Sequence, residues 1–530
     1  VTALPKPLKV NRVMRQIIPM LVEMLPARPY PLDITTFTGT VEHAVRGLLV
    51  EMIGQSAPDP AKLYIEEDGV ITHFEPPEMH FSPAILITPW LALWRTHHYN
   101  PLRWETDPLL AEAAKQACQL DQIDLRVLTW KQNIETLHAA LALIPRFMEL
   151  RQRYFPPALA GLARLWLLLH LTRQSSRFGG LLAGAETKTT ETNRRLEELA
   201  AHIRRDPGLR KLFASCPAGE LRATLADLPQ GTDFLINFDA FLDQYGHREV
   251  SLTISQGAWR DQPEIVLGIL KVLAASEPQA ADSRPAWMSE RDALLKHSIL
   301  GIWPLRSPFL KALAYARCLF QIREDTHFYA TLAQPPIRHI ALELGRRLKQ
   351  AGALDEVEDV FHLRLEELEA LGEPWPPSSE ILARIRALVS RRKARRETLA
   401  ATPLVDPRLL AVVPHAAPGE AVLLNGSPGS PGVASGPVRI VLDSSQFTRL
   451  QPGDVLVAPA TNPAWTPLFQ RAAAVVVDSG GAASHAAIVA REYGVPAVMG
   501  TIDGTRLLKD GQRVRVDGSR GLVLIAEEPT

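Results

Sequence analysis

At 530 residues the chain is longer than one hydrophobic core can organise, so two or three domains are expected. Its 46% hydrophobic and 22% charged content is ordinary for a globular protein, and 58 basic against 58 acidic side chains leave no net field to draw nucleic acid or an acidic membrane surface. Cys118, Cys216 and Cys318 lie too far apart for a CxxC metal pair or a disulfide framework, which fits a reducing, cytoplasmic setting with no metal site.

Val1 to Met14 lacks the apolar core of a secretory signal, and a start at Val1 suits an alternative start codon or a trimmed chain. Leu63-Tyr64-Ile65 followed by Asp68-Gly69 predicts a small hairpin ending near Phe74. Apolar residues at three- and four-residue spacing predict helices over 108–143 and 191–213. The most hydrophobic stretch, Leu162 to Leu171, carries Arg164 and is about half the length a bilayer span needs, so it reads as a buried helix. Arg391 to Arg396 is a basic run that reads as a solvated helix end. Residues 1–402 are therefore expected to be mostly helical.

Between 403 and 431 the composition changes. Pro403, Pro407, Pro414, Pro418, Pro428 and Pro431 alternate with Gly and Ser, predicting a semi-rigid linker in place of a helix. From composition alone this is an ordinary connection. Beyond it, runs at 438–442, 455–458, 474–477, 514–517 and 523–525 predict short strands, with one helix over 484–493. Residues 432–530 thus form a small α/β domain. The expected fold class is multidomain α+β, a large mostly helical domain followed by that α/β domain.

The chemistry concentrates after Val475-Val476-Val477, where a buried strand runs through Gly480 and Gly481 into a helix. Ser484 is a good N-cap, which places His485 in the first helical turn. Free amides and the positive end of the helix dipole favour an anion there, and the glycines let backbone approach it closely. The same field disfavours a protonated imidazole and keeps it neutral and nucleophilic. His485 is the candidate nucleophile and Gly480, Gly481 and Ser484 the candidate phosphate-binding residues. A structural histidine at a helix start would look the same over so short a window.

The longer match separates these readings. Gly480 to Gly500, ending Glu492-Tyr493-Gly494-Val495-Pro496-Ala497-Val498-Met499-Gly500, resembles the phosphohistidine signature of the phosphoenolpyruvate-utilising enzyme family. Ser430-Pro431-Gly432-Val433-Ala434-Ser435-Gly436, Pro459-Ala460-Thr461-Asn462-Pro463-Ala464-Trp465-Thr466-Pro467 and Asp517-Gly518 agree with it. The resemblance implies that His485 is phosphorylated, that its domain swivels between two active sites, and that the Pro-rich linker is a hinge. Thr461, Asn462, Thr466 and Arg491 are candidates to line the site.

Three patches upstream are similar to the substrate region of rifampicin phosphotransferase-like members. They are Pro29 to Thr36; Tyr245-Gly246-His247-Arg248 with Trp259-Arg260-Asp261-Gln262-Pro263; and Ile322-Arg323-Glu324-Asp325 with 359–368. This implies that 1–402 is a helical acceptor-substrate domain, with His247, Arg248, Arg323 and Glu324 as candidate substrate-binding residues. Where the resemblance leads one to expect carboxylates after Gly-His-Arg, the chain has Leu252 and Ile254, which leaves His247 as the candidate base or as a helix tie. No Walker-type loop, ATP-grasp-like half or C-terminal pyruvate-binding barrel is expected. The layout resembles rifampicin phosphotransferase or phenylphosphate synthase without the ATP-grasp domain.

The implied activity is that of a dikinase-type phosphotransferase subunit. A separate ATP-grasp partner binding ATP and Mg2+ loads His485, which passes the phosphoryl group to the hydroxyl of a small, aromatic or hydrophobic acceptor. The alternatives are a non-catalytic binding or regulatory protein that keeps the histidine domain, and a fragment of a fused ATP-dependent dikinase.

Overall fold

The computed structural model describes residues 28–53, 64–75, 83–182, 184–248, 253–275, 286–400, 402, 404, 421–461, 465–481 and 484–526. Strands β1 (Tyr64–Glu67) and β2 (Val70–Phe74) make the expected hairpin. Asp68 and Gly69, at φ 52° and 80°, supply the mirror-image turn that matches strand twist. Leu63 lies outside the described residues.

The longer helices of the helical region are α1 (Phe37–Ile53), α2 (Thr88–Thr96), α3 (Pro108–Asp121), α4 (Trp130–Leu141), α5 (Leu143–Leu171), α6 (Lys188–Arg205), α7 (Pro207–Ser215), α8 (Ala218–Ala226), α9 (Pro229–Tyr245), α10 (Pro263–Ala274), α11 (Ala286–His297), α12 (Arg306–Ala330), α13 (Gln334–Gln350) and α14 (Ser379–Thr398). The apolar period over 108–143 is real, but caps divide it. Thr129 and Gln132 form a capping box that starts α4 anew. The 191–213 stretch breaks at Asp206-Pro207, where Asp206 accepts from the Leu209 amide at 2.9 Å and Pro207 has no amide to continue α6.

One apolar cluster joins α3, α4, α5 and α13 around Trp104, Trp130, Phe147 and Leu344. A second packs the distal part of α5 against α11 and α12. There the stretch 162–171 departs from the buried helix expected. Leu165 and Leu169 are fully buried, but Trp166 is 51% and Leu171 70% exposed, because only one stripe of α5 meets α12. The basic run is the solvated helix end expected at Arg391, Lys393 and Arg395, and departs from it at Arg392. Arg392 is buried, donating to both carboxylate oxygens of Glu367 at 2.7 Å and to the His362 and Asp68 carbonyls at 2.8 Å, while Lys393 pairs with Asp359. Its partners lie on distant segments that sequence spacing does not connect.

The C-terminal sheet contains β3 (Val422–Asn425), β4 (Ser427–Ser430), β5 (Val433–Ile440), β6 (Val455–Ala458), β7 (Ala474–Val477), β8 (Ala497–Met499), β9 (Arg513–Asp517) and β10 (Leu522–Ile525). Its order is β3-β10-β9-β5-β6-β7-β8-β4, with β5 through β8 parallel and the remaining pairs antiparallel. Strands β3 and β4 fall inside the stretch 403–431 expected to be linker, so the folded domain starts by Val422. Pro428 is tolerated because β4 is an edge strand with an irregular register there.

This domain sits on α10. That helix is apolar almost all round, covered by α6 and α8 on one side and by the 444–449 turn of the C-terminal domain on another. Phe447, Trp465, Leu468 and Phe469 join α9 and α10 in one buried cluster, and Arg471 Nη1 donates to the Val272 carbonyl at 3.1 Å.

Candidate active site

Strand β7 is wholly buried between β6 and β8, as its unbroken Ala-Val-Val-Val run requires. At its carboxyl end the Asp478 and Ser479 amides donate to the Ala458 and Pro459 carbonyls at 2.9 and 3.0 Å, holding the turn beside the loop that leaves β6. The Asp478 carboxylate accepts from the Thr501 hydroxyl at 2.8 Å, the amides of Gly504 and Thr505, and the Thr505 hydroxyl. Burial raises its pKa and these hydrogen bonds oppose the shift. Asp478 thereby ties the glycine turn to the loop after β8. Sequence reading missed it, although a lone Asp at a strand end before two glycines is a visible signal.

Gly480 has φ 86°, the left-handed region that favours glycine, and a Cβ there would meet the Ser484 Cβ at 3.0 Å. Ser484 is the N-cap of α15 (His485–Glu492), accepting from the Ala487 amide at 3.2 Å, with its own amide bonded to the Gly481 carbonyl at 2.9 Å. His485 therefore opens the helix as expected, where first-turn amides have no intrahelical acceptor. Strand β4 runs alongside α15.

Three hydroxyls belong to the two adjoining loops: Thr461 and Thr466 after β6, and Ser479 after β7. They are 6%, 2% and 9% exposed, and none of their oxygens has a hydrogen-bond partner among the described residues. Leaving such a group buried and unpaired costs about 1–3 kcal/mol. Unpaired hydroxyls in the loops at the carboxyl ends of parallel strands, where open α/β sheets bind ligands, suit a phosphate. Asn462, Ala482 and Ala483 lie outside the described residues. Arg491 is exposed in the last turn of α15.

On the helical side His247 is buried, its ring bonded to the Phe328 carbonyl and its Nε2 without a partner among the described residues. Burial and then the Arg248 charge push its pKa down to about 3, so it is a neutral, weak proton acceptor. Arg248 donates to the Thr192 and Thr189 hydroxyls at 3.0 and 3.4 Å. Arg323 and Glu324 form a partly exposed neighbouring pair at 3.4 Å on α12. Ile254 is buried in the helical core, and Leu252 lies outside the described residues.

The structure ties the first of the three upstream patches to the third, and to Ser255 between the two halves of the second. The Asp33 carboxylate accepts from the Tyr30 amide and from the amide and hydroxyl of Ser255, while the Tyr30 ring meets His362 at 5.0 Å. Asp325, buried on α12, accepts from the Lys188 amide at 2.6 Å. Burial pushes its pKa up to about 7 against that hydrogen bond. Sequence reading passed over Asp325 in favour of its two charged neighbours. Among the described residues no His, Cys, Asp and Glu cluster could hold a metal, and no helix is long and apolar enough to cross a membrane.

Residues 450–521 match the family described as PEP-utilising enzyme, mobile domain, and residues 153–324 match the rifampicin phosphotransferase fourth domain. The chain is 29% identical over 420 residues to an uncharacterized phosphotransferase, YvkC, of Bacillus subtilis, covering 75% of this chain and 50% of that protein. It is 31% identical over 354 residues to a rifampicin phosphotransferase of Streptomyces sviceus, covering 64% and 40%. It is also 53% identical over 110 residues to a phosphoenolpyruvate synthase of Aeropyrum pernix, covering 21% and 13%. The chain thus spans half or less of the length of each of these relatives. In its C-terminal domain, then, the chain carries a match to the mobile domain of PEP-utilising enzymes, and this follows a helical region similar to the fourth domain of rifampicin phosphotransferase.

Proposed function

We infer that the chain is a phosphotransferase in which His485 is phosphorylated and hands the group to a small-molecule hydroxyl bound by the helical region. The observation that carries this is the set of buried, unpaired hydroxyls of Thr461, Thr466 and Ser479 beside the Gly480 turn and the capped start of α15. Backbone amides, Gly480, Gly481 and Ser484 hold the phosphoryl oxygens. Loading follows the dikinase pattern: a nucleotide-binding, ATP-grasp-type partner holds ATP and Mg2+ and gives up the β-phosphoryl group, releasing AMP and phosphate. The setting is cytoplasmic. The C-terminal domain then swings from that partner to the helical region, the Pro-rich stretch expected over 403–431 serving as hinge; its residues 405–420 lie outside the described residues. There His247 and Arg248 contribute polar contacts near the acceptor, and Arg323 and Glu324 border it. Positioning and electrostatic stabilisation supply most of the rate.

The test is incubation of the full chain with candidate ATP-grasp partners and β-labelled ATP. Label is expected on the wild-type chain and absent from His485→Ala. A folded wild-type chain that no cognate partner labels sinks the carrier reading and favours a binding protein that has kept the domain.

A further inference from the structure

The geometry points to Asp325 as the catalytic base of the acceptor half-reaction, one helical turn beyond the Gln321 wall of a pocket that seats an aromatic alcohol. This rests on the phosphotransferase reading and names the residue and the cleft through which it acts.

The pocket lies between α11, α12 and the turn before α6, with a volume of about 540 Å³, within the usual range for small-molecule sites. Its walls include Leu102, Trp287, Met288, Leu310, Leu313 and Arg317. Arg317 donates to the Leu181 and Gly184 carbonyls at 2.9 and 2.7 Å and lies 3.9 Å over the Trp287 ring. A half-buried indole pinned by a guanidinium that is itself anchored makes a flat, rigid wall, suited to stacking an aromatic ring.

Three walls lead from this cleft to Asp325. On α12, Gln321 lines the pocket and Asp325 lies one turn further along the same face. On the facing turn, Glu186 lines it and Lys188, two residues on, gives its amide to Asp325. On the 3-10 helix Pro101–Thr106, Leu102 lines it and Glu105, one turn on, bonds Gln321 at 2.8 Å and raises the Asp325 pKa through its charge. The Lys188 amide is taken by Oδ1, and the structure gives Oδ2 no donor among the described residues. On the other side, Phe328 follows Asp325 by one turn and packs against the cluster that joins the helical region to the mobile domain. Asp325 thus stands between the acceptor cleft and the face on which the carrier docks. Its pKa of about 7 makes it a better base at neutral pH than His247 at about 3.

In the step, the acceptor oxygen attacks phosphorus as its proton passes to Asp325. The O–P bond forms and the N–P bond breaks, its electron pair returning to the imidazole nitrogen. With a proton on its other nitrogen, His485 departs neutral, and Asp325 then releases its proton to solvent.

The test uses the full chain, phosphorylated on histidine with phosphoramidate, and 2-naphthol as probe. Transfer to 2-naphthol is expected to rise with pH through an apparent pKa near that of Asp325. Asp325→Asn, which keeps the oxygen that accepts from Lys188, should slow transfer about 100-fold or more and flatten the pH profile. Binding of 2-naphthol, followed by ligand-observed NMR, should survive that change and His485→Ala, and be lost in Trp287→Ala and in Ala314→Phe, which fills the cleft. Transfer by Asp325→Asn at the wild-type rate overturns the proposal. So does a wild-type chain that does not bind 2-naphthol, or binding indifferent to both pocket variants. Failure of His485 to accept a phosphoryl group strikes the carrier reading instead, and the binding arm still judges the pocket.

Discussion

Replacing Gly480 by alanine separates what the glycine turn contributes through its backbone from what it contributes by leaving room. At φ 86° an L-residue costs about 1–2 kcal/mol. The new Cβ would also stand 3.0 Å from the Ser484 Cβ and 3.1 Å from its Oγ. Ser484 cannot retreat without loosening its bond to the Ala487 amide, a cap worth about 1 kcal/mol. The expected loss is about 2–3 kcal/mol, which a domain of ordinary stability survives, with His485 left on a displaced turn. Gly453→Ala is the matched control, with φ 88° and nothing within 4 Å of the added Cβ. It should cost only the backbone part, about 1–2 kcal/mol. Urea unfolding of both variants, with phosphorylation of His485 measured on each, makes the comparison. Gly480→Ala should be the less stable and should label at least about ten times more slowly, equivalent to about 1.4 kcal/mol in the barrier. Equal stability losses with unimpaired labelling would refute the claim that the turn is shaped around the histidine.

His339 lies between Asp121 and Asp261, at 3.5 and 3.0 Å, and these carboxylates push its pKa from the ordinary 6.5 up to about 9. Its stabilisation is complete below 6.5 and is lost as pH rises through about 9; the imidazole is 35% exposed, so solvent reduces the effect to about 1–2 kcal/mol. His339→Gln should flatten the urea midpoint between those pH values, and an unchanged slope would show that the pair of carboxylates does not hold the ring charged. Arg392→Met should cost about 3 kcal/mol, since Glu367 and two carbonyls lose a buried donor, and a urea midpoint equal to wild type would contradict the clamp. Arg471→Ala removes one hydrogen bond to α10, about 0.5–1.5 kcal/mol, and should speed amide exchange in α10 without unfolding the mobile domain. Unaltered exchange there would mean that apolar contact alone seats the domain.

The parts legible in the chain were those whose physics is local. The Asp68-Gly69 hairpin and the Ser484 cap each follow from residues within a turn of one another. The 108–143 and 191–213 patterns showed which face is apolar, but not that caps would cut each into two helices. The Pro- and Gly-rich stretch before Gly432 read as linker because the partners that make 422–430 into strands, β10 and β8, lie far downstream.

By itself, then, the sequence determined the order of a helical region and an α/β domain, and the strand, glycine turn and helix that present His485. Dihedral preference, capping and side-chain period act over a few residues, and they suffice for that. Only the tertiary structure decided which polar groups are left unpaired and which acids are desolvated. It made Arg392 of a basic run a buried clamp, left the Thr461, Thr466 and Ser479 hydroxyls without partners among the described residues, and singled out Asp325 from the charged pair beside it. Burial and pairing depend on what distant segments bring alongside, which no local pattern encodes.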